Sequence, residues 1–208
     1  MKTETTKRFY ENIELRALSE EDEAIIEGMP IVFNQVTHIG PAEGGWDEVI
    51  RPSALVNADM SDVVLTIEHN GSKIPLARTK KGRGTMTLEK TPEGVKMRAV
   101  LDVKNNAEAR ALYSAIERGD LDKMSFLFII RDGGDSWEYK GDQVHREIFD
   151  IARLLDVSVV SRPAYDGTEV QLSRSEVDAR EEAVDAVRKK EREEVEALRI
   201  KNRIIARR

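Results

Sequence analysis

Cysteine is absent from the 208 residues, which excludes disulfides, thiolate nucleophiles and thiolate metal sites. That absence fits a reducing compartment. Histidine is scarce, limited to His38, His69 and His145. No HExxH spacing occurs and no carboxylates cluster around a histidine, so neither a metal site nor a cofactor is expected. The glycines build no phosphate loop: "GRG" (82–84) lacks the Lys-Ser/Thr ending. GxSxG is missing, which excludes a hydrolase nucleophile elbow. No run of 18 apolar residues exists and "MKTETTKRFYENIEL" has no apolar leader core, so neither membrane spanning nor export is expected. Aromatics reach only 5%, so the core must be mainly aliphatic. The net charge of -6 argues against nucleic acid as a partner.

Charge itself is plentiful, at 35% of residues, and unevenly written. Residues 1–172 hold all 13 glycines, all 6 prolines and every aromatic. Their short apolar runs, separated by turn residues, read as strands: 24–34, 62–69, 84–90, 94–103, 123–131, 146–160 and 168–173. "TLEKTPEGVKM" reads as a hairpin around Thr91-Pro92-Glu93-Gly94. "NNAEARALYSAIERG" reads as a helix capped by Asn105 or Asn106, with Ala111, Leu112, Ala115 and Ile116 on its apolar stripe and Gly119 just past its end. Residues 173–208 carry eleven basic and nine acidic residues and read as a long solvated helical tail. Val177, Val184, Leu198 and Ile205 share a seven-residue spacing, but Glu191 and Glu194 interrupt that seam. Two units are therefore expected, 1–172 and 173–208. The first is mostly β with flanking helices (α+β), as an antiparallel barrel or sandwich.

Three polar residues stand out on apolar strands. Ser125 opens "MSFLFII". His69 ends "VVLTIEH", where period two places it on the face of Val63, Leu65 and Ile67. Asp156 interrupts "ARLLDVSVV". Convergence of the three would give a hydroxyl nucleophile, a base and an orienting acid. The bland alternative is a small strand filler, a surface histidine, and a carboxylate paired with Arg153 or Arg162. A buried carboxylate needs some partner, and spacing does not select it.

"GMPIVFN", "WDEVIRPSAL", "VVLTIEHNGSKIPLARTKKGRGTMTLEKTPEGVKMRAVL", "GDLDKMSFLF" and "LLDVSVVSRPAYDGTEV" occur in this order. Together, from Ile25 to Val170, they resemble the prohead maturation proteases of tailed bacteriophages, which are similar to herpesvirus assemblin. The resemblance implies a serine endopeptidase on a small closed antiparallel β-barrel. By position the nucleophile is Ser125 and the base His69. The third member is Asp156, where the family pattern usually has Glu; Glu147, Asp150 and His145 are the other candidates. The oxyanion donors fall at the backbone N–H of Ser161 or Arg162. Trp137 and Tyr139, in the hairpin "RDGGDSWEYKGDQVHRE", either line a cleft or pack on the body.

The same resemblance implies major capsid protein and scaffold as protein substrates, self-cleavage, possible homo-oligomers, and work in the bacterial host cytoplasm inside assembling proheads. A catalytically inactive assembly or scaffolding protein that retains the protease domain is the alternative, and a non-catalytic β-barrel binding module is a third reading.

Overall fold

The computed structural model describes residues 5–10, 15–20, 23–41, 44–80, 83–140, 143–161 and 174–205. Its thirteen strands form three sheets among these residues. The first sheet runs β1 (Thr5–Tyr10), β10 (Lys123–Ile130), β13 (Ile151–Val160), β6 (Val64–Ile67) and β7 (Ala77–Arg78). A second runs β2 (Arg16–Glu20), β3 (Glu23–Val32), β9 (Gly94–Leu101) and β8 (Met86–Lys90). The third runs β11 (Asp135–Lys140), β12 (Gln143–Ile148), β5 (Trp46–Ile50) and β4 (Thr37–Ile39).

The expected closed antiparallel barrel does not form. Each sheet keeps two edge strands, and β13–β6 and β12–β5 pair in parallel. The physical reason is that two-residue alternation decides which face of a strand is buried and leaves strand order, direction and closure open. The segment 168–173, expected as a strand, lies outside the described residues.

The main core lies between the first two sheets and joins Ile26, Ile31, Leu65, Met97, Met124, Phe126, Phe128, Leu154 and Val157. Phe126 and Phe128 stack with centroids 5.1 Å apart. Helix α1 (Ala107–Glu117) seals it with Ala109, Leu112 and Ile116. The buried stripe thus includes Ala109, while Ala111 faces solvent. Asn106 is the cap, accepting from the N–H of Glu108 at 2.9 Å and of Ala109 at 3.2 Å. Gly119 follows the helix at φ 77°, the left-handed turn that glycine adopts without penalty.

The β8–β9 hairpin forms around Thr91, whose Oγ1 accepts from the N–H of Glu93 and Gly94. Gly94 is required by close approach: a Cβ there would lie 2.0 Å from the Ile31 carbonyl oxygen. A smaller core on the third sheet holds Ile39, Trp46 and Val144, with Trp137, Tyr139 and Val184 against it. Val184 belongs to helix α2 (Arg174–Ile205). Val177 and Val184 are half-buried, whereas Leu198 is exposed, so the seam is not covered along the helix.

Candidate active site

Sheet order brings the three singled-out residues onto neighbouring strands. Ser125 on β10 is the register partner of Ser158 on β13, and Ser158 is the partner of Thr66 on β6. Register partners in a sheet point to the same face, so a row of hydroxyls crosses the three strands. Asp156, two residues before Ser158, shares that face.

His69 reaches this row against the alternation. Period two places it with Leu65, on the opposite face. However, β6 ends at Ile67, and Glu68 (φ 54°) and His69 (φ 53°) both take left-handed backbone. Each such non-glycine residue costs about 1–3 kcal/mol. Hydrogen bonds hold the turn in place: Glu68 N–H donates to Val159 O at 3.1 Å, and His69 N–H to Ser158 Oγ at 3.1 Å. The imidazole therefore stands between Ser125 and Asp156. His69 Nε2 lies 2.5 Å from Ser125 Oγ, and His69 Nδ1 lies 2.5 Å from Asp156 Oδ1.

Asp156 is almost wholly buried, at 5% exposure, and its carboxylate is well supplied with donors. Thr66 Oγ1–H donates to Oδ2 at 2.6 Å and Ser158 Oγ–H donates to Oδ1 at 2.8 Å. Thr66 and Ser158 also meet each other at 2.6 Å, so two hydroxyl protons serve three contacts. Such a network orients the carboxylate and offsets its burial.

Arg153 does not pair with Asp156; its Nε lies 3.7 Å from Asp59 Oδ2. The other candidate acids are committed elsewhere. Glu147 pairs with Arg51, whose hydrogen bond holds its carboxyl below the usual glutamate range. Asp150 pairs with Arg131 at 3.0 Å. His145 Nδ1 lies 3.9 Å from Asp47 on the third sheet, and Asp47 also meets His38 Nδ1 at 3.0 Å. Trp137 and Tyr139 pack on the smaller core, with Trp137 edge-on to Trp46 at 5.2 Å. Ser161 N–H donates to Glu68 Oε1 at 2.6 Å. Arg162 lies outside the described residues. Among the described residues no group of three or more His, Asp and Glu side chains could hold a metal ion.

Two features went unread in the sequence. Thr66, a common strand residue, supports Asp156. The second is a buried charge network in which Arg8 on β1 grips Glu48 on β5 through Nε and through Nη2, the latter at 2.7 Å. Arg146 reaches Glu48 at 3.2 Å and Asp135 at 2.7 Å. Alternation in "WDEVI" puts Glu48 on the buried face of Trp46 and Ile50, which was a legible signal.

Ser125 is fully buried, at 0% exposure. It does not stand at an open edge of the sheet, because β1 covers the free side of β10. Its hydroxyl donates to Arg8 O at 2.6 Å. One hydroxyl proton therefore has two acceptors within reach, Arg8 O and His69 Nε2.

A family model described as caudovirus prohead serine protease matches residues 11–183 of the chain. No curated protein and no solved structure matches it.

Proposed function

Since the chain belongs to the caudovirus prohead serine proteases, we propose that it is a serine endopeptidase cutting capsid and scaffold protein, and itself, during prohead maturation. Ser125, His69 and Asp156 are its triad. The observation that supports this reading is the pair of 2.5 Å contacts made by the His69 imidazole, Nε2 with Ser125 Oγ and Nδ1 with Asp156 Oδ1.

In the reaction, Ser125 Oγ attacks the scissile carbonyl carbon and its proton passes to His69 Nε2. Asp156 holds Nδ1–H and stabilises the imidazolium. Collapse of the tetrahedral intermediate breaks the C–N bond, and Nε2–H protonates the leaving amine. Water, deprotonated by the same imidazole, then hydrolyses the acyl-serine ester. The backbone N–H groups of Ser161 and Arg162 are the oxyanion donors in this reading. For Ser161 that role requires Glu68 to let go of the N–H it now accepts.

Residues 1–172 act as the catalytic body and 173–208, which include α2, as an appended segment that docks the enzyme among scaffold copies. The place of work is the assembling prohead in the host cytoplasm. Among the described residues no helix is long and apolar enough to cross a membrane.

The test is cleavage of co-expressed capsid protein. Ser125→Ala and His69→Ala are expected to lower it about 10⁴-fold or more. Processing by both variants at the wild-type rate refutes the mechanism. The complete burial of Ser125 favours a second reading, an inactive assembly protein keeping the protease domain. That reading predicts no Ser125-dependent cleavage under any condition.

A further inference from the structure

β1 flanks the strand that carries Ser125. It is an edge strand, antiparallel to β10, with Phe9 in register with Ser125 and Arg8 with Phe126. Extended peptides bind sheet edges by supplying the backbone hydrogen bonds of a missing strand, so an edge strand is exchangeable for another chain of the same direction. The carbonyl presented to Ser125 Oγ, at 2.6 Å, is that of Arg8. While the hydroxyl donates there, it does not donate to His69, and the nucleophile is held idle.

The side chain of Arg8 adds chemistry to the register. Its guanidinium is 3% exposed and grips Glu48, which is 0% exposed. Among the described residues, Arg8 and Arg146 face Glu48 and Asp135 in this network. When β1 leaves, the buried Glu48 carboxylate loses the cation that it binds through both oxygens. An uncompensated buried carboxylate is costly, so the vacated position selects a cation. Glu48 accepts the planar fork of arginine through both oxygens, a geometry that a lysine ammonium does not reproduce.

We propose that β1 occupies the substrate's place on β10. A substrate peptide displaces it and carries a basic side chain, arginine in preference to lysine, onto Glu48. That residue is the one whose carbonyl comes to Ser125, on the acyl side of the cut bond. Glu48 is thus a specificity residue of the site and β1 its built-in occupant. The inference rests on the serine-protease reading above.

The test uses the full chain and its lack of cysteine. Thr5 and Ile129 are register partners in the β1–β10 pair, so Thr5→Cys with Ile129→Cys allows β1 to be locked by oxidation and freed by reduction. A fluorophosphonate probe reports access to Ser125, and Ser125→Ala serves as the control. The reduced protein is expected to label at the wild-type rate, and the oxidised protein at least tenfold more slowly. Equal rates in both states, with labelling that depends on Ser125, overturn the strand inference and leave the serine reading intact. Absence of Ser125-dependent labelling in the reduced protein overturns both.

The second arm digests a mixed pool of denatured protein and reads the cut bonds by mass spectrometry. Arginine is expected to be enriched at least tenfold before the cut bond, ahead of lysine, with the enrichment lost in Glu48→Gln. An enrichment for neutral or acidic residues, or one that survives Glu48→Gln, overturns the role of Glu48.

Discussion

Asp156→Asn separates the orienting role proposed for this side chain from its structural one. The carboxylate accepts from His69, Ser158 and Thr66. Asparagine has nearly the same shape, and its amide can sit in two ways. With Oδ1 toward His69, Nδ2 faces Thr66 Oγ1, which can accept, and the network survives except that the imidazolium formed in catalysis loses its anion. With Nδ2 toward His69, Nδ1 becomes the acceptor and the proton moves to Nε2, where it blocks uptake of the Ser125 proton. Either arrangement penalises the reaction far more than the fold. The expected rate loss is about 10³–10⁴-fold, or roughly 4–5.5 kcal/mol of barrier. The folding loss is about 1–3 kcal/mol, a fall in Tm of roughly 2–12 °C for a chain of this length. Thr66→Val is the comparator: it removes one donor to Asp156 and leaves His69 in contact, so the rate should drop by less than about tenfold for a similar folding cost. Capsid-protein cleavage measured beside thermal unfolding provides both numbers. An asparagine variant within tenfold of wild type, or a valine variant as damaged as it, refutes the assignment of Asp156 as the orienting acid.

Three further outcomes are expected. Phe126→Ala removes a fully buried ring stacked on Phe128 and should cost about 3–5 kcal/mol in urea unfolding; a loss under about 1 kcal/mol would contradict the packing. Gly94→Ala forces a methyl group against the Ile31 carbonyl and should lower the urea midpoint more than the roughly 1 kcal/mol of an ordinary exposed substitution, whereas an unchanged midpoint would disprove the close approach. Glu27 is held below the usual glutamate range, first by its hydrogen bond from Arg16 and then by that from Arg98. Its folded-state pKa is depressed, so its stabilisation is present above about pH 4.3, the unfolded value, and is lost as pH falls through the folded value. Glu27→Gln should therefore flatten the acid limb of stability against pH, and an unchanged limb would remove the Arg16–Glu27–Arg98 contacts from the account.

How much was legible in the sequence depended on whether a residue broke its local pattern. Ser125 opens an apolar strand, His69 ends one and Asp156 interrupts one, and each stands in the hydrogen-bonded row. Thr66 broke nothing, because threonine suits a strand, so its support of Asp156 stayed hidden. His69 was noticed, but its face was misjudged, because alternation says nothing of two left-handed residues beyond the strand end. The first strand was missed for a related reason. "TTKRFY" shows no apolar face, since its buried side chains include Arg8, whose burial depends on Glu48 forty residues away. That the sheets stay open was not legible at all, as it depends on pairings such as β6 with β13 that no local pattern encodes.

That pairing also governs when the site can exist during synthesis. β13 lies between β10 and β6 in its sheet, yet it is the last of the three to leave the ribosome. The strand that carries His69 at its exit ends at Ile67, and its partner begins at Ile151. At about 5–20 residues per second that interval lasts on the order of ten seconds. Throughout it, Ser125 and His69 have no shared scaffold, since the strand that joins them has not been made. Contacts this distant along the chain also close slowly. On the proposed triad, the nascent chain can therefore make no cut until the centre of its sheet is inserted.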